Sequence, residues 1–176
     1  MYQRLSHAIG ALARFTALAG GAGLVAVIGM TCVSVSGRAL DGLGLGPVPG
    51  DIELVEFGIG FAVFTALPYA QYVRAHARVD LFKPLFARAP GLNGALDLIG
   101  DLLMLAVSVV IAWRLWLGML DKGAYGETSF ILQIPMVWGY RAAMAAMTVA
   151  VLVAAFCVLR SARGLTLGTT QEGSLT

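Results

Sequence analysis

Ionisable side chains are the residues of this sequence that could do chemistry, and few of them stand inside its long apolar runs. Glu56 opens one run, while Arg114 and Arg141 fall near the ends of two others. Charges in hydrocarbon are costly, and pairing offsets that cost. We therefore expect Glu56 to pair with Arg114 or Arg141. A proton relay would need titratable groups across the bilayer, and between these charges and Asp101 the sequence offers only serine and threonine.

Histidines and cysteines form no catalytic or metal-binding pattern in this sequence. His7 and His76 fall outside the apolar runs, whereas haem held between helices needs facing histidines inside them. Cys32 and Cys157 belong to runs whose ends threading places on opposite membrane faces, too far apart for a disulfide. No Ser/His/Asp constellation and no phosphate-binding glycine loop is recognisable. We therefore expect no enzyme activity, no cofactor and no metal site.

Four apolar runs must position these residues. Of the 176 residues, 59% are hydrophobic and 12% are charged, against about a quarter charged in soluble domains, and the mean hydropathy is +0.82. Each run has about 20 residues or more, which suffices to cross a ~30 Å hydrocarbon layer as a helix. The sequence predicts an all-α integral membrane protein. Residues 1–164 would form one domain with transmembrane helices at about 15–36, 52–73, 98–117 and 134–159, followed by a disordered cytoplasmic tail at 165–176.

Basic residues are distributed unevenly among the segments that join these runs. Eight fall at the two termini and in the middle loop: Arg4, Arg14, Arg74, Arg78, Lys83, Arg88, Arg160 and Arg163. Only Arg38 and Lys122 fall in the other two loops. The positive-inside rule therefore places both termini and the middle loop in the cytoplasm. Val79, Phe82 and Phe86 have helical spacing in that loop, which predicts a short interfacial helix, although an ordinary basic loop would have the same charge.

Small residues recur at every fourth position of the second and fourth runs. The two ridges are Gly58, Ala62, Ala66 and Ala70, and then Ala142, Ala146, Ala150 and Ala154. Such ridges let helix backbones approach closely in a membrane. They are candidate contacts with a partner, although they could equally hold this chain together, and alanine is common in membrane helices. Asp97, Asp101 and Ser108 share one face of the third run, which we expect to meet protein or the interface.

The landmarks occur in an order that resembles a known family. Arg38 closes the first run, Glu56 opens the second, and the middle loop carries His76, Val79 and Asp80. The stretch "GETSFILQIPMVWGY" at 126–140 leads into the fourth run. Over roughly residues 10–160, the chain resembles the small membrane subunit, or Q subunit, of tripartite ATP-independent periplasmic (TRAP) transporters. The most specific pieces are the H-x-x-V-D motif at 76–80 and the S-x-x-L-x-I-P motif at 129–135.

The sequence departs from the family pattern at a few positions. Ala39 stands where the family often has an aromatic residue after the arginine that ends the first run. Leu54 and Val55 stand where an acid or an aromatic residue often precedes the glutamate of the second run. Ala77 stands where a hydrophobic residue usually follows the loop histidine. These differences concern local contacts.

The resemblance implies a multi-pass subunit of the bacterial inner membrane, surrounded by lipid, with no nucleic acid and no cofactor. It would pair with a large permease subunit that carries the substrate and sodium sites. A periplasmic binding protein would deliver an organic anion, usually a carboxylate, for secondary active symport. The small subunit would be a noncatalytic scaffold. The loop residues His76 and Asp80 would organise the turn or an adjacent partner contact, although His76 could instead be a solvated interfacial residue. The sequence shows no broken-helix pair and no inverted repeat, which favours a scaffold over the alternative of a self-contained oligomeric transporter or channel.

Overall fold

Four long helices account for most of the chain in the computed structural model, which describes residues 2–73 and 90–166. They are α1 (Tyr2–Ala39), α2 (Asp51–Tyr72), α3 (Pro90–Tyr125) and α4 (Met136–Thr166), and a short 3-10 turn, Asp41–Leu43, follows α1. All four helices are long and apolar enough to cross a membrane. The predicted all-α fold with four spans is confirmed. Two predicted features lie outside the described residues: the loop with His76, Val79 and Asp80 and its interfacial helix, and the tail from residue 167 onward.

The helices α1, α3 and α4 extend well beyond the apolar runs that predicted them. Hydropathy marks only the part of a helix that lies in hydrocarbon, whereas helical hydrogen bonding continues into the interfaces until the sequence interrupts it. Glycine and proline provide the interruption between α1 and α2, where Gly50 adopts a left-handed φ of 73° directly before α2. Pro135 stands directly before α4, where a missing N–H costs little.

In space the helices follow the order α1, α2, α4, α3. Packing is extensive between α1 and α2, between α2 and α4, and between α4 and α3, while α1 touches α4 only lightly. Within these described helices, no Cα atom of α2 lies within 8 Å of one in α3. The helix α4 is the most enclosed, because 44% of the residues in its apolar stretch are buried, against 11% in α1 and in α3. A gap therefore remains between α2 and α3, with α4 beneath it.

The seam between α1 and α2 is built on a seven-residue repeat in α1. Its members are Ala13, Gly20, Val27 and Ser34. A Cβ atom on Gly20 would collide with the Thr65 side chain of α2, and one on Gly58 of α2 would collide with Val27. A repeat of seven keeps one face of a helix turned to its neighbour, and small residues on that face let the backbones approach.

The core lies toward the end of the bundle that the charge pattern places in the cytoplasm, hereafter the inner end. Ala13 of α1 and both Val153 and Cys157 of α4 are fully buried there, and Tyr69 and Tyr72 of α2 pack around them. The other cysteine, Cys32, is exposed, and neither cysteine is in a disulfide. We call the opposite end of the bundle, where α2 and α4 begin, the outer end.

Candidate functional site

The S-x-x-L-x-I-P motif folds into a closed loop at the outer end, between α3 and α4. An antiparallel bridge pairs Thr128 with Pro135 at its base. The backbone N–H of Ser129 donates to the carbonyl oxygen of Ile134 at 2.9 Å, and the N–H of Met136 donates to the carbonyl oxygen of Glu127 at 2.9 Å. We call residues 127–136 the outer loop. Its two ends are tied together before α4 begins.

A carboxylate from α2 holds the tip of the outer loop. The backbone N–H of Ile131 donates to Glu53 Oε1 at 2.7 Å, and the N–H of Leu132 donates to Glu53 Oε2 at 2.9 Å. The Leu132 side chain also lies against Gly50, since a Cβ there would collide with it. Bonds from N–H groups to an ionised oxygen are about twice as strong as neutral ones. This Glu53 clamp therefore fixes the loop to the start of α2.

Further bonds inside the outer loop fix its shape. Ser129 Oγ accepts from the N–H of Ile134 at 3.1 Å, and Thr128 Oγ1 donates to Gln133 Oε1 at 3.0 Å. Gln133 has a left-handed φ of 53°, which few residues other than glycine adopt. At the tip, Phe130 is 95% exposed and Ile131 is 61% exposed. The loop thus presents two apolar side chains outward on a backbone that is held from several sides.

A second network joins the end of α1 to the start of α2. Ser34 Oγ donates to Asp51 Oδ2 at 2.5 Å, Arg38 Nη2 lies 3.3 Å from the same oxygen, and the N–H of Val48 donates to Ser34 Oγ at 3.3 Å. The Arg38 side chain is 64% exposed, so the hydroxyl bond contributes more to this contact than the ion pair does. Arg38, which the sequence marked as a structural charge, therefore pairs with Asp51.

These carboxylates are committed to the chain's own donors. Glu53 accepts two backbone N–H groups, and Asp51 accepts a hydroxyl and a guanidinium. In residues 2–73 and 90–166, no group of three His, Cys, Asp or Glu side chains could hold a metal ion. The arrangement can fix a shape and present a surface at the outer end.

Comparison with known families shows which protein family the chain belongs to. A family model described as "Tripartite ATP-independent periplasmic transporters, DctQ component" matches residues 27–167. The chain belongs to this family. No curated protein and no solved structure matches it. The match extends from the outer half of α1 to the end of α4, and so includes the Asp51 network, the Glu53 clamp and the outer loop.

Family membership indicates the complex and the membrane to which this DctQ component belongs. It is a component of a TRAP transporter, and its four apolar helices make it a multi-pass protein of the inner membrane. The family is one of transporter components rather than of enzymes. The family predicted from the order of the landmarks is thereby confirmed.

The structure divides the two small-residue ridges of the DctQ component between inward and outward positions. Ala146, Ala150 and Ala154 of α4 are buried within the chain, and Ala142 is half-buried. On α2, Ala62 is buried, Gly58 and Ala70 are half-buried, and Ala66 is exposed. The α4 ridge therefore packs inside the subunit along most of its length. Of the eight ridge positions, Ala66 faces outward most openly, and its contact with a partner stays a prediction.

The predicted charge pairs are not formed within the chain. Glu56, Arg114 and Arg141 are all exposed, and no ion pair joins them in the described part of the structure. The guanidinium of Arg141 instead lies 5.4 Å from the centroid of the Trp138 ring, a cation–π geometry. The separation of α2 from α3 is the reason that Glu56 and Arg114 do not meet. Both residues remain structural charge candidates, and their roles stay predictions.

Three polar side chains of the described helices are buried at the inner end. Ser161 Oγ of α4 donates to Asp101 Oδ2 of α3 at 2.5 Å, and the two residues are only 8% and 6% exposed. The predicted polar face of the third run therefore meets protein at Asp101. Gln71 of α2 is 4% exposed, and its Oε1 atom has no hydrogen-bond partner among the residues that the structure describes. Sequence reasoning missed both Gln71 and the serine opposite Asp101.

Sequence reasoning also missed Ser34, Asp51 and Glu53, which build the outer end. Asp51 and Glu53 stand in the first turn of α2, where acidic residues are common because they interact favourably with the helix dipole. This local role is enough to explain the two acids, so the sequence gives no reason to expect their contacts with residues that are distant in the chain. Two sequence features could have indicated these residues. One is the seven-residue repeat that ends at Ser34, and the other is the pair of acids directly after the glycine- and proline-rich loop.

Glu53→Gln should loosen the outer loop while leaving the helices in place. The amide has one oxygen and no charge, so it cannot accept both N–H groups as the carboxylate does. We expect backbone hydrogen exchange at Ile131 and Leu132 to become several-fold faster, as measured by mass spectrometry on the detergent-purified protein. Glu56→Gln is the matched control, since this acid lies in the same helix and touches no loop residue. Unchanged exchange in Glu53→Gln, or equal changes in both variants, would contradict the clamp.

Proposed function

We propose that this chain is the noncatalytic scaffold subunit of a TRAP transporter that takes up an organic anion, usually a carboxylate, in symport with sodium. The observation that carries the proposal is the family match over residues 27–167. The fold supports it, because each of the four spans is a single helix, and Asp51 and Glu53 at the outer end are bound by the chain's own groups. Substrate sites of secondary transporters typically use broken helices near the middle of the membrane.

The proposed partners are a large permease subunit and a periplasmic binding protein. The large subunit would carry the substrate and sodium sites, and the binding protein would deliver the anion. Support comes from the open edges of the helix row, because α1 and α3 each pack extensively on one neighbour only. Their remaining faces carry large exposed apolar side chains such as Phe15, Leu18, Ile99 and Leu103. Those faces suit lipid on one side and a second membrane subunit on the other.

The way the chain is held together supports the proposed scaffold role. A scaffold must keep one shape while a transport domain moves against it. Two networks, the Asp51 network and the Glu53 clamp, tie the outer ends of the helices to one another. The Asp101 and Ser161 contact does the same at the inner end for α3 and α4. The exposed tip of the outer loop, Phe130 and Ile131, is the docking surface we propose for a partner on the periplasmic side.

The proposal is tested by purifying the tagged chain from its native membrane in mild detergent and identifying the proteins that accompany it. We expect a large multi-span permease in roughly equal amount. Recovery of a homo-oligomer alone that conducts solute in liposomes would overturn the scaffold role, and would favour the self-contained transporter with Glu56 and Arg114 in its pore.

Reconstitution tests the transport part of the proposal. Liposomes that contain both permease subunits, supplied with the binding protein and an inward sodium gradient, should accumulate the anion. Omission of the small subunit, of the binding protein or of the gradient should each abolish uptake. Uptake that persists without the small subunit would contradict the scaffold role, and uptake that persists without sodium would contradict the coupling.

A further inference from the structure

The helix α4 is enclosed except for one exposed side. Between Met136 and Arg160, its exposed residues are Trp138, Arg141, Ala145, Thr148, Leu152 and Leu159. They recur at intervals of three, four or seven residues, and such spacing places side chains on one face of a helix. We call this face the α4 stripe. It is the part of α4 that meets the membrane.

The α4 stripe faces away from α2. Gly139 lies against α2, since a Cβ atom on it would be 2.6 Å from the Phe57 ring. Arg141 follows Gly139 by two residues, which is about 200° around the helix. Arg141 therefore lies on the opposite side of α4, away from the gap between α2 and α3. Its side chain is exposed, and no ion pair within residues 2–73 and 90–166 involves it.

A cation stands at the outer end of the α4 stripe. Arg141 is the sixth residue of α4, so its Cα atom lies about 7–8 Å from the start of the helix. Its guanidinium lies 5.4 Å from the centroid of the Trp138 ring. Trp138 is one turn nearer the outer end and is 61% exposed. Indole rings concentrate at the level of the lipid headgroups, so the contact holds the guanidinium close to that level.

Below Arg141 the α4 stripe is apolar. Ala145, Leu152 and Leu159 present aliphatic side chains, and the Thr148 hydroxyl donates to the carbonyl oxygen of Met144 at 2.9 Å. A phospholipid of the outer leaflet has the matching order, with an anionic phosphate above its acyl chains. The anions already present at this depth of a bilayer are lipid phosphates, and a guanidinium binds phosphate with two parallel hydrogen bonds.

We propose that the α4 stripe binds one phospholipid of the outer leaflet, with Arg141 donating to its phosphate and an acyl chain lying along Ala145, Thr148 and Leu152. Trp138 flanks the headgroup and positions the guanidinium. A headgroup with a net negative charge is preferred, because no acid of the described residues neutralises Arg141. The inference goes beyond the proposed function, since it concerns a lipid site on this subunit alone.

Arg141→Gln tests the phosphate contact. The amide lacks both the charge and the fork of donors of the guanidinium. The purified chain is titrated in detergent with short-chain phosphatidylglycerol, and native mass spectrometry measures the dissociation constant of the first bound lipid. We expect binding to become about tenfold weaker, as for the loss of one hydrogen bond to a charged group. Arg114→Gln is the matched control, because Arg114 is also an exposed arginine but lies on α3, and it should leave binding unchanged.

Trp138→Leu tests the positioning of the guanidinium. Leucine keeps an apolar surface but removes the ring, and we expect phosphatidylglycerol to bind about twofold to fivefold more weakly, the usual contribution of an exposed cation–π contact. Trp113→Leu is its control, since Trp113 is 67% exposed on α3, and it should have no effect. Equal losses from the two tryptophan variants would contradict the role given to Trp138.

The same titration separates the lipid from other anions. Phosphatidylcholine, whose headgroup is neutral overall, should bind several-fold more weakly than phosphatidylglycerol, and glycerol phosphate, which has no acyl chain, should not bind measurably. Equal binding of glycerol phosphate would overturn the lipid site in favour of a free phosphate ester, and equal losses in Arg141→Gln and Arg114→Gln would show only general attraction to arginine. Unchanged lipid binding in Arg141→Gln, with lower recovery of a large subunit, would overturn the proposal in favour of a partner carboxylate. Because the titration uses the chain alone, its result does not depend on the proposed function.

Discussion

Gly20→Val is expected to destabilise the subunit by about 1–3 kcal/mol, the usual cost of forcing extra methyl groups into a packed seam. Gly20 is buried, and a Cβ atom on it would collide with the Thr65 hydroxyl and approach the Ala62 carbonyl at 3.2 Å. The larger side chain must push α1 away from α2 along the seven-residue repeat. The measurement is the free energy of unfolding in detergent, followed by circular dichroism during a denaturant titration.

Gly21→Val is the control for that experiment. Gly21 is the next residue of α1, it is exposed, and an added Cβ would have no atom within 4 Å. Both variants replace glycine by the same β-branched residue in the same helix, so their intrinsic helix propensities change equally. We expect Gly21→Val to be as stable as the unaltered chain. Similar stabilities for the two variants would show that the α1–α2 seam does not pack as described.

Ser161→Ala should have an effect of comparable size at the inner end. The hydroxyl bond to Asp101 is 2.5 Å long and both residues are buried. Removing one partner of a buried hydrogen bond costs about 1–3 kcal/mol. We expect a lower midpoint in the same denaturant titration, and faster hydrogen exchange where α3 packs on α4.

Ser161→Thr keeps a hydroxyl at this position and should retain most of the stability. A double-mutant cycle with Asp101→Asn measures the coupling between the two side chains directly. A coupling close to zero, or a Ser161→Thr variant as unstable as Ser161→Ala, would contradict the assignment of this pair as the bond between α3 and α4.

The sequence predicts the helices well because membrane thickness limits what a span can be. Any apolar run of about 20 residues predicts a transmembrane helix, whatever its neighbours are. The close approach of α2 to other helices is also predictable, since small residues such as Gly58 and Ala62 leave room for a backbone. By contrast, the same ridge pattern does not specify the neighbour. The α4 ridge at Ala146, Ala150 and Ala154 could have faced a partner, and the structure buries it within the chain.

The outer end could not be predicted because its contacts join distant parts of the chain. Glu53 and Ile131 are 78 residues apart, and no local pattern links a carboxylate in one helix to the backbone of a loop. The expectation that Glu56 pairs with Arg114 is not met for a related reason. It assumed that helices consecutive in the chain are neighbours, whereas α2 and α3 are separated by α4. Depth in the membrane can be estimated from spacing, but lateral order cannot.

The difference between chain order and spatial order has a consequence for biogenesis. The helices α1 and α2 are adjacent in both orders, so they can associate as soon as both have left the ribosome. The helix α3 has α4 as its only packing neighbour among the described helices. Only 12 residues separate its Asp101 from its Arg114, which makes α3 a poor substrate for insertion by itself. Its Asp101 accepts a hydrogen bond from Ser161 of α4. The second half of the protein is therefore expected to enter the membrane as a two-helix hairpin, with α3 retained by the insertion machinery until α4 arrives.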